Sequence, residues 1–208
     1  MKLLAALKFV VELLTQLITL GEEGLGRIME RMNYIREITG RVHLPTIQEF
    51  TQFLDQAVGH IVDCDTDPTI PSSRNWTIER HIKGGKVRLE RRGDTLYVDG
   101  KKVILHLVKQ QTGDRVIRGY ELRKELDNSK LVLLNANLLD YLLERPELIP
   151  DAWKGKMVFF WGTVHRRSDG DLNVRYLDWY GGRWDWYYDW LGYGWYSDSP
   201  AAVLASQN

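Results

Sequence analysis

The stretch Tyr176–Pro200, YLDWYGGRWDWYYDWLGYGWYSDSP, dominates the sequence of this 208-residue chain. From Tyr176 to Tyr196 it holds five tryptophans and six tyrosines among 21 residues. Apart from one arginine and two leucines, the residues between them are aspartate or glycine, and serine follows directly. A tract that only filled a core would bring more valine, isoleucine and leucine. The composition therefore predicts tryptophan as packing material and tyrosine, aspartate, glycine and serine as an exposed recognition surface, as in antibody paratopes.

Upstream of this tract, residues 86–108 alternate apolar and polar side chains with the period of two that is typical of strands. Arg92-Gly93-Asp94 and Asp99-Gly100 supply turn residues within the segment. The pattern predicts a small antiparallel meander. A continuous apolar run, Met157–Trp161, predicts a fully buried strand closer to the tract.

Two helices are predicted between the meander and the tract. Gly119–Leu126, GYELRKEL, has opposite charges at close helical spacing. The segment LLDYLLERPEL follows Asn135-Ala136-Asn137, and either asparagine is a suitable N-cap. Pro146 and Pro150 bracket the end of this second helix.

Residues 1–70 are predicted to form a helical region that serves as a bundle or an oligomer seam. In Met1–Leu20, apolar residues recur at three- and four-residue steps, which is helical spacing. Lys8 and Glu12 interrupt this apolar run and no cleavage site follows before Gly21, so a helix is favoured over a secretory signal or a membrane-surface helix. Without a clear signal peptide, a cytoplasmic location is favoured, and membrane association is not expected. The acidic, proline-bounded segment 63–73 reads as a linker, which sets a domain boundary near residue 70.

The formal net charge of zero conceals segregation along the chain. Residues 1–70 hold 6 basic and 10 acidic side chains, residues 71–130 hold 15 and 8, and residues 131–208 hold 7 and 10. We interpret the basic middle as solvated strand and helix surface, because no arginine-rich run or aromatic platform interleaves with it. Nucleic acid is therefore not an expected partner.

No catalytic or metal-binding motif is present in the sequence. Cys64 is the only cysteine, which excludes an intramolecular disulfide and a multi-cysteine zinc site. Its acidic neighbours are expected to raise the thiol pKa and make it a poor nucleophile. Asp169, Asp171 and Asn173 have an alternating oxygen-ligand spacing, but no bidentate glutamate follows them. The sequence thus predicts no enzymatic activity, no cofactor and no metal.

The run from Asn135 to Ser206 resembles the variable proteins of diversity-generating retroelements. The matching segments are LNANLLDYLL, IPDAWKGKMVFFWGT, LNVRYLDWYGGRWDWYYDWLGYGW and SPAAVLAS. This resemblance implies an α+β chain in which residues 71–208 form a C-type-lectin-like domain of two helices and a small antiparallel sheet, preceded by the N-terminal helical region. It also implies that error-prone copying of template adenines rewrites the variable tract 176–200. Changes at the two adenines of the asparagine codon AAC give Tyr, Asp, Ser and Gly, the residue types found there.

The resemblance also divides the tract into two groups of residues. The implied diversified, ligand-binding positions are Asp178, Tyr180, Asp185, Tyr187, Asp189, Tyr193, Tyr196, Asp198 and Ser199. The implied scaffold positions are Trp179, Arg183, Trp184, Trp186, Trp190 and Trp195. The calcium signatures of sugar-binding C-type lectins are missing, so calcium-dependent carbohydrate recognition is not expected.

These observations predict a non-enzymatic binding protein whose aromatic-rich surface recognises a protein or cell-surface ligand. The alternative is an aromatic carbohydrate-binding module, in which tryptophan and tyrosine rings stack on sugars. An enzyme of the formylglycine-generating branch of the lectin-like fold is a third reading, which the single cysteine, Cys64, disfavours. The N-terminal helices are candidates for homo-oligomerisation.

Overall fold

The computed structural model describes residues 60–70 and 75–205, and this part of the chain is mostly β-structure. The strands are β1 (His60–Asp63), β2 (Thr77–His81), β3 (Lys86–Arg92), β4 (Thr95–Val98), β5 (Lys101–His106), β6 (Ile117–Arg118), β7 (Val132–Leu133), β8 (Val158–Phe159), β9 (Thr163–Arg166), β10 (Leu172–Tyr180), β11 (Arg183–Trp190), β12 (Gly194–Trp195) and β13 (Ala201–Leu204). The helices are α1 (Gly119–Asn128) and α2 (Ala136–Glu144), and short 3-10 helices lie at Lys109–Gln111, Pro146–Leu148 and Asp151–Trp153.

Eleven of these strands form one mixed sheet. Its order is β1-β3-β4-β5-β13-β8-β10-β9-β2, with β7 beside β13 and β11 beside β10. The strand pairs are antiparallel except for β13 and β8, which are parallel. β12 and β6 form a separate antiparallel pair.

The predicted fold, a C-type-lectin-like α+β domain with a small antiparallel sheet, is therefore wrong. The described residues form a large sheet of both pair types, with two helices packed on it. Strands of two residues, such as β7 and β8, are too short to show a period of two, so pattern reading underestimated the extent of the sheet. The helices predicted within residues 1–59 lie outside the described residues.

His60–Asp63, which the sequence placed at the end of an N-terminal helical region, form strand β1 of the sheet, and residues 64–70 follow it without helix. The structural unit that contains them begins at His60, and β1 pairs with β3 along its whole length. The predicted linker starts at Asp63, yet Cys64 is buried and the Nδ2 of Asn137 donates to the carbonyl oxygens of Asp63 and Thr66. These hydrogen bonds hold the segment against the start of α2.

The predicted meander of residues 86–108 is confirmed as β3, β4 and β5. Val87 and Leu89 of β3 are buried, as the alternation requires, and β4 continues the pattern. The connection between β4 and β5 is a two-residue turn in which Asp99 and Gly100 both have positive φ, 49° and 73°. That conformation is the one expected for an Asp-Gly hairpin.

Both predicted helices between the meander and the tract are confirmed, and they cover opposite faces of the sheet. α2 begins after Asn135, whose side chain accepts a hydrogen bond from the Leu138 N–H. Its leucines join one hydrophobic cluster, whereas Leu122 and Leu126 of α1 join a second cluster with Trp195. Neither helix in the described part of the chain has the length and apolar character needed to cross a membrane.

A buried ion pair joins α2 to the centre of the sheet. Arg175 of β10 is 3% exposed, and its Nη2 lies 2.5 Å from Oδ1 of Asp140. A second hydrogen bond runs from Nη1 to Oδ2, so the pair is bidentate. Bidentate guanidinium–carboxylate pairs fix geometry as well as charge, so this contact sets where α2 crosses β10.

We expect Asp140→Ala to lower the free energy of unfolding by about 3 kcal/mol, because Arg175 would keep a buried charge without its carboxylate partner. The measurement is urea denaturation followed by tryptophan fluorescence. Asp169→Ala is the matched control, since Asp169 pairs with Arg167 on an exposed turn, and its loss is expected to cost no more than about 1 kcal/mol. Equal losses in the two variants would contradict the structural role of the Arg175–Asp140 pair.

Candidate functional site

The aromatic tract forms a long antiparallel hairpin. β10 and β11 pair over eight residue pairs, from Asn173 with Trp190 to Tyr180 with Arg183. Gly181 and Gly182 form the two-residue turn, with φ of 61° and 84°, a region that glycine enters without steric cost. Because side chains alternate along each strand and directly paired residues share a side, the register assigns every hairpin side chain to one of two faces.

One side of the hairpin, the tryptophan face, packs toward α2. It carries Asn173, Arg175, Leu177 and Trp179 from β10 and Trp184, Trp186, Tyr188 and Trp190 from β11. Trp184 and Trp186 pack against the cluster that contains the α2 leucines. The Arg175 guanidinium lies 4.2 Å from the centre of the Trp186 ring, so the buried ion pair also supports this face. The four hairpin tryptophans predicted as scaffold all lie here.

The other side, the tyrosine–aspartate face, carries Val174, Tyr176, Asp178 and Tyr180 from β10 and Arg183, Asp185, Tyr187 and Asp189 from β11. It includes all five hairpin residues that were predicted to bind ligand. Tyr180 is 71% exposed and Tyr187 is 39% exposed. The face meets the core at its inner end, where Val174 is fully buried in the cluster that contains Trp195 and Tyr176 packs 4.6 Å from Phe159, measured between ring centroids.

The loop after β11 is held by backbone hydrogen bonds to the start of α1. The amide of Gly119 donates to the Tyr193 carbonyl at 3.2 Å, and the amide of Tyr120 donates to the Leu191 carbonyl at 3.1 Å. Trp195 is buried beneath this loop, whereas Tyr193 and Tyr196 are more than half exposed. Main-chain bonds fix the loop, so its exposed side chains are not needed to shape it.

Two predicted site residues have different positions from those expected. Ser199 is buried at 4% exposure, and its carbonyl oxygen accepts a hydrogen bond from Nε2 of Gln111, because the chain re-enters the sheet at this point. It therefore does not lie on the recognition surface, whereas Asp198 beside it is exposed. Arg183, predicted as scaffold, is 78% exposed at the hairpin tip and pairs with Asp185 at 3.3 Å.

A groove of about 630 Å³ lies at the inner end of the hairpin, where residues of both faces line it beside the edge strand β11. It is lined by Tyr176, Tyr187, Asp189, Trp190 and Tyr193, together with Arg167, Asp171, Asn173 and Tyr188. Sequence reasoning missed Tyr176 as a site residue, although its spacing of two from Asp178 was the available signal. Arg167 and Asp171 come from the turn between β9 and β10, so only the folded chain brings them to the groove.

Burial perturbs two ionisable groups of this groove. The pKa of Asp189 is raised, chiefly by burial, although its carboxylate accepts a hydrogen bond from the Trp190 N–H. The pKa of Tyr176 is raised to about 12, first by burial and then by the negative charges of Asp189 and Asp178. The groove therefore contains a carboxylate that is partly removed from water.

Three side chains with polar atoms, His165, Asn173 and Trp190, form one row across β9, β10 and β11, and two of them, Asn173 and Trp190, also line the groove. Asn173 pairs with His165 on one side and with Trp190 on the other. The side-chain nitrogen and oxygen atoms of His165 and Asn173 are buried and have no hydrogen-bond partner within the described part of the chain, nor does the indole nitrogen of Trp190. Burial lowers the pKa of His165 from 6.5 to about 4, with smaller effects from the charges of Arg175 and His81.

Two other reactive side chains of the described residues, Cys64 and His81, do not line the groove. Burial raises the pKa of the Cys64 thiol to about 11, and Asp63 and Asp65 add to the effect in the predicted direction. His81 is engaged with the Thr163 hydroxyl and the Cys64 carbonyl oxygen. Within residues 60–70 and 75–205, no three His, Cys, Asp or Glu side chains are grouped so that they could hold a metal ion.

Comparisons with protein-family models, curated proteins and solved structures give no match for this chain. The likeness to retroelement variable proteins thus rests on the sequence segments quoted above. What the site does chemically must be inferred from its geometry and charge.

We expect acid to destabilise the protein through His165. The unfolded imidazole takes a proton near pH 6.5, whereas the buried one does so only near pH 4, so stability is complete above pH 6.5 and falls as the pH drops toward 4. His165→Leu is expected to remove this part of the acid sensitivity. Urea denaturation of both proteins at about pH 8 and about pH 5 measures it, and parallel losses in the two proteins would contradict the expectation.

Proposed function

We propose that this chain is a non-enzymatic binding protein whose tyrosine–aspartate face and following loop recognise a protein or cell-surface ligand. The observation that carries the proposal is the register of the β10–β11 hairpin. It places the four tryptophans on the side that packs toward α2 and the five predicted ligand-binding residues on the opposite side. The predicted residues outside the hairpin, Tyr193, Tyr196 and Asp198, are also exposed, and Tyr193 lines the same groove as Tyr187 and Asp189.

The physical properties of this surface suit macromolecular recognition. Tyr180, Tyr193 and Tyr196 present large amphipathic rings on a rigid backbone, and tyrosine loses little side-chain entropy on binding. Interface energy concentrates in a few aromatic and arginine residues, and Arg183 at the hairpin tip adds an exposed guanidinium. The aspartates between them supply orientation and selectivity more than affinity.

We further propose that the surface is diversified by a retroelement. Its exposed positions carry Tyr and Asp, residue types that adenine-directed changes of an asparagine codon produce. Replacement of an exposed side chain that takes no part in the core, a helix cap or a buried polar network usually changes the free energy of unfolding by no more than about 0.5 kcal/mol. The positions that bury tryptophan, by contrast, are the ones that the fold needs unchanged.

An aromatic carbohydrate-binding module is the second candidate. The high exposure of Tyr180, Tyr193 and Tyr196 favours it, because ring faces open to solvent are able to stack on sugars. A glycan array separates the two candidates. Binding of oligosaccharides that is lost in Tyr193→Ala would favour the carbohydrate module over the protein-recognition surface.

We expect the triple variant Tyr187→Ala, Tyr193→Ala and Tyr196→Ala to remain folded, with a loss of about 2 kcal/mol in the free energy of unfolding. The loss arises because Tyr187 stacks on Tyr176 and Tyr193 contacts the edge of Trp190, while Tyr196 is more than half exposed. Urea denaturation and near-ultraviolet circular dichroism are the measurements.

The single variant Trp195→Ala is the matched control for that experiment. Trp195 is 1% exposed and contacts the rings of Phe159 and Trp161, so its truncation is expected to cost about 4 kcal/mol. If the triple tyrosine variant unfolds, the tyrosines are core residues and the proposed recognition surface is wrong.

If the tract is diversified, we expect a template copy of it near the gene. A near-copy of the segment that encodes residues 176–200 is expected close to the gene, differing from it only where the near-copy has adenine. Those adenines are expected in the codons of the residues predicted to bind ligand and not in those of the hairpin tryptophans. Sequencing the locus is the measurement, and differences spread over all four bases would refute adenine-directed rewriting.

A further inference from the structure

The groove at the inner end of the hairpin, lined by residues of both faces, combines aromatic walls with a carboxylate. Tyr176 and Tyr187 have ring centroids 5.9 Å apart on adjacent strands, and Trp190 and Tyr193 meet edge to face at 5.2 Å. Asp189 is half-buried among them. We call this site the Asp189 groove. Its volume of about 630 Å³ lies within the usual range for small-molecule sites, about 300–1,000 Å³.

The charge of the Asp189 groove is not balanced by its own residues. Among the described residues, the Asp189 carboxylate accepts a hydrogen bond from the backbone N–H of Trp190 and forms no ion pair. Arg167, which also lines the groove, lies 2.9 Å from the carboxylate of Asp169. A second lining carboxylate, Asp171, likewise has no ion pair within the described residues. The groove is therefore acidic.

We propose that the Asp189 groove binds the positively charged side-chain group of an arginine or lysine on a protein partner. Aromatic faces attract a cation through their quadrupole, by about 0.5–1 kcal/mol at exposed sites and more when water is excluded. A neighbouring carboxylate adds a charge-assisted hydrogen bond, and with guanidinium that bond has the planar geometry that favours two parallel contacts. The proposal deepens the proposed function and rests on it, since it names the partner chemistry of the same surface.

The electrostatics of the groove discriminate against other ligands. An anionic group would meet the like charges of Asp189 and Asp171, which disfavours phosphate and carboxylate ligands. A neutral ligand would leave the partly desolvated carboxylate without compensation. The raised pKa of Asp189 reflects that uncompensated burial, which a bound cation would relieve.

The test uses two small probes that have nearly the same shape and differ in charge, N-acetyl-arginine amide and its neutral isostere N-acetyl-citrulline amide. Each is titrated to about 50 mM against the full chain, because a single side-chain contact is expected to give a millimolar dissociation constant. The readout is the indole N–H resonance of Trp190, assigned by nuclear magnetic resonance with Trp190→Phe. We expect the arginine probe to shift this resonance with saturation, and the citrulline probe to bind at least about fivefold more weakly.

Two variants separate the groove from general charge attraction. Asp189→Asn keeps the shape of the side chain and removes its charge, and it is expected to weaken the arginine probe at least about fivefold. Asp114→Asn makes the same change in net charge at an exposed position that neither lines the groove nor belongs to the predicted ligand-binding residues, and it is expected to leave binding within about twofold of the unchanged chain.

Each remaining outcome overturns the proposal. Equal affinity for arginine and citrulline probes, no saturable shift with either probe, or equal weakening by the two variants would show that the groove does not select a cation. Any of these results obtained while the triple tyrosine variant remains folded would leave the recognition surface intact and refute only its preference for basic side chains. Unfolding of the triple variant, by contrast, would refute the surface itself.

Discussion

The pairing register of β10 and β11 is the constraint on which the site depends. Eight residue pairs joined by Gly181 and Gly182 place the four tryptophans, with Tyr188, on one side and the other tyrosines and the aspartates on the other. A slip of one residue in either strand would turn that strand's side chains to the opposite face, exposing tryptophan and burying aspartate. The energetic cost of such an exchange is large on both sides, so the sequence specifies its register strongly.

The register determines which side chains are exposed because the tryptophan face packs against the cluster that contains the α2 leucines. The bidentate pair of Arg175 with Asp140 positions α2 over β10, and the same guanidinium lies on the Trp186 ring. The tryptophan packing and the buried Arg175 thus act on one side of the hairpin. The opposite side meets the core at its inner end, through Val174 and Tyr176, and its outer residues are the ones that we propose for recognition.

Local patterns in the sequence were sufficient for the meander, the two helices and the separation of tyrosine from tryptophan, because each depends on neighbours in the chain. The extent of the sheet was not predictable, since β8 and β13 pair through a single parallel contact between distant segments. Ser199 was misplaced for a related reason: whether a residue beside an exposed aspartate is buried depends on Gln111, far upstream. The groove likewise needs Arg167 and Asp171, which periodicity within the tract does not reveal.

The attachment of the loop after β11 has a consequence for inheritance. Its partners, residues 117–120, lie well upstream of the tract. They bind it through main-chain atoms and through Nη1 of Arg118, which donates to the Gly192 carbonyl oxygen. At Gly119 even a methyl group would lie 2.5 Å from the indole nitrogen of Trp195, so this position accepts no side chain without rearrangement. If only the 3′ segment of the gene were rewritten, residues 117–120 would stay unchanged in every descendant. Under the proposed diversification, the loop conformation would be inherited unchanged while the binding preference changed. One polypeptide would then combine a constant part with a rewritten part.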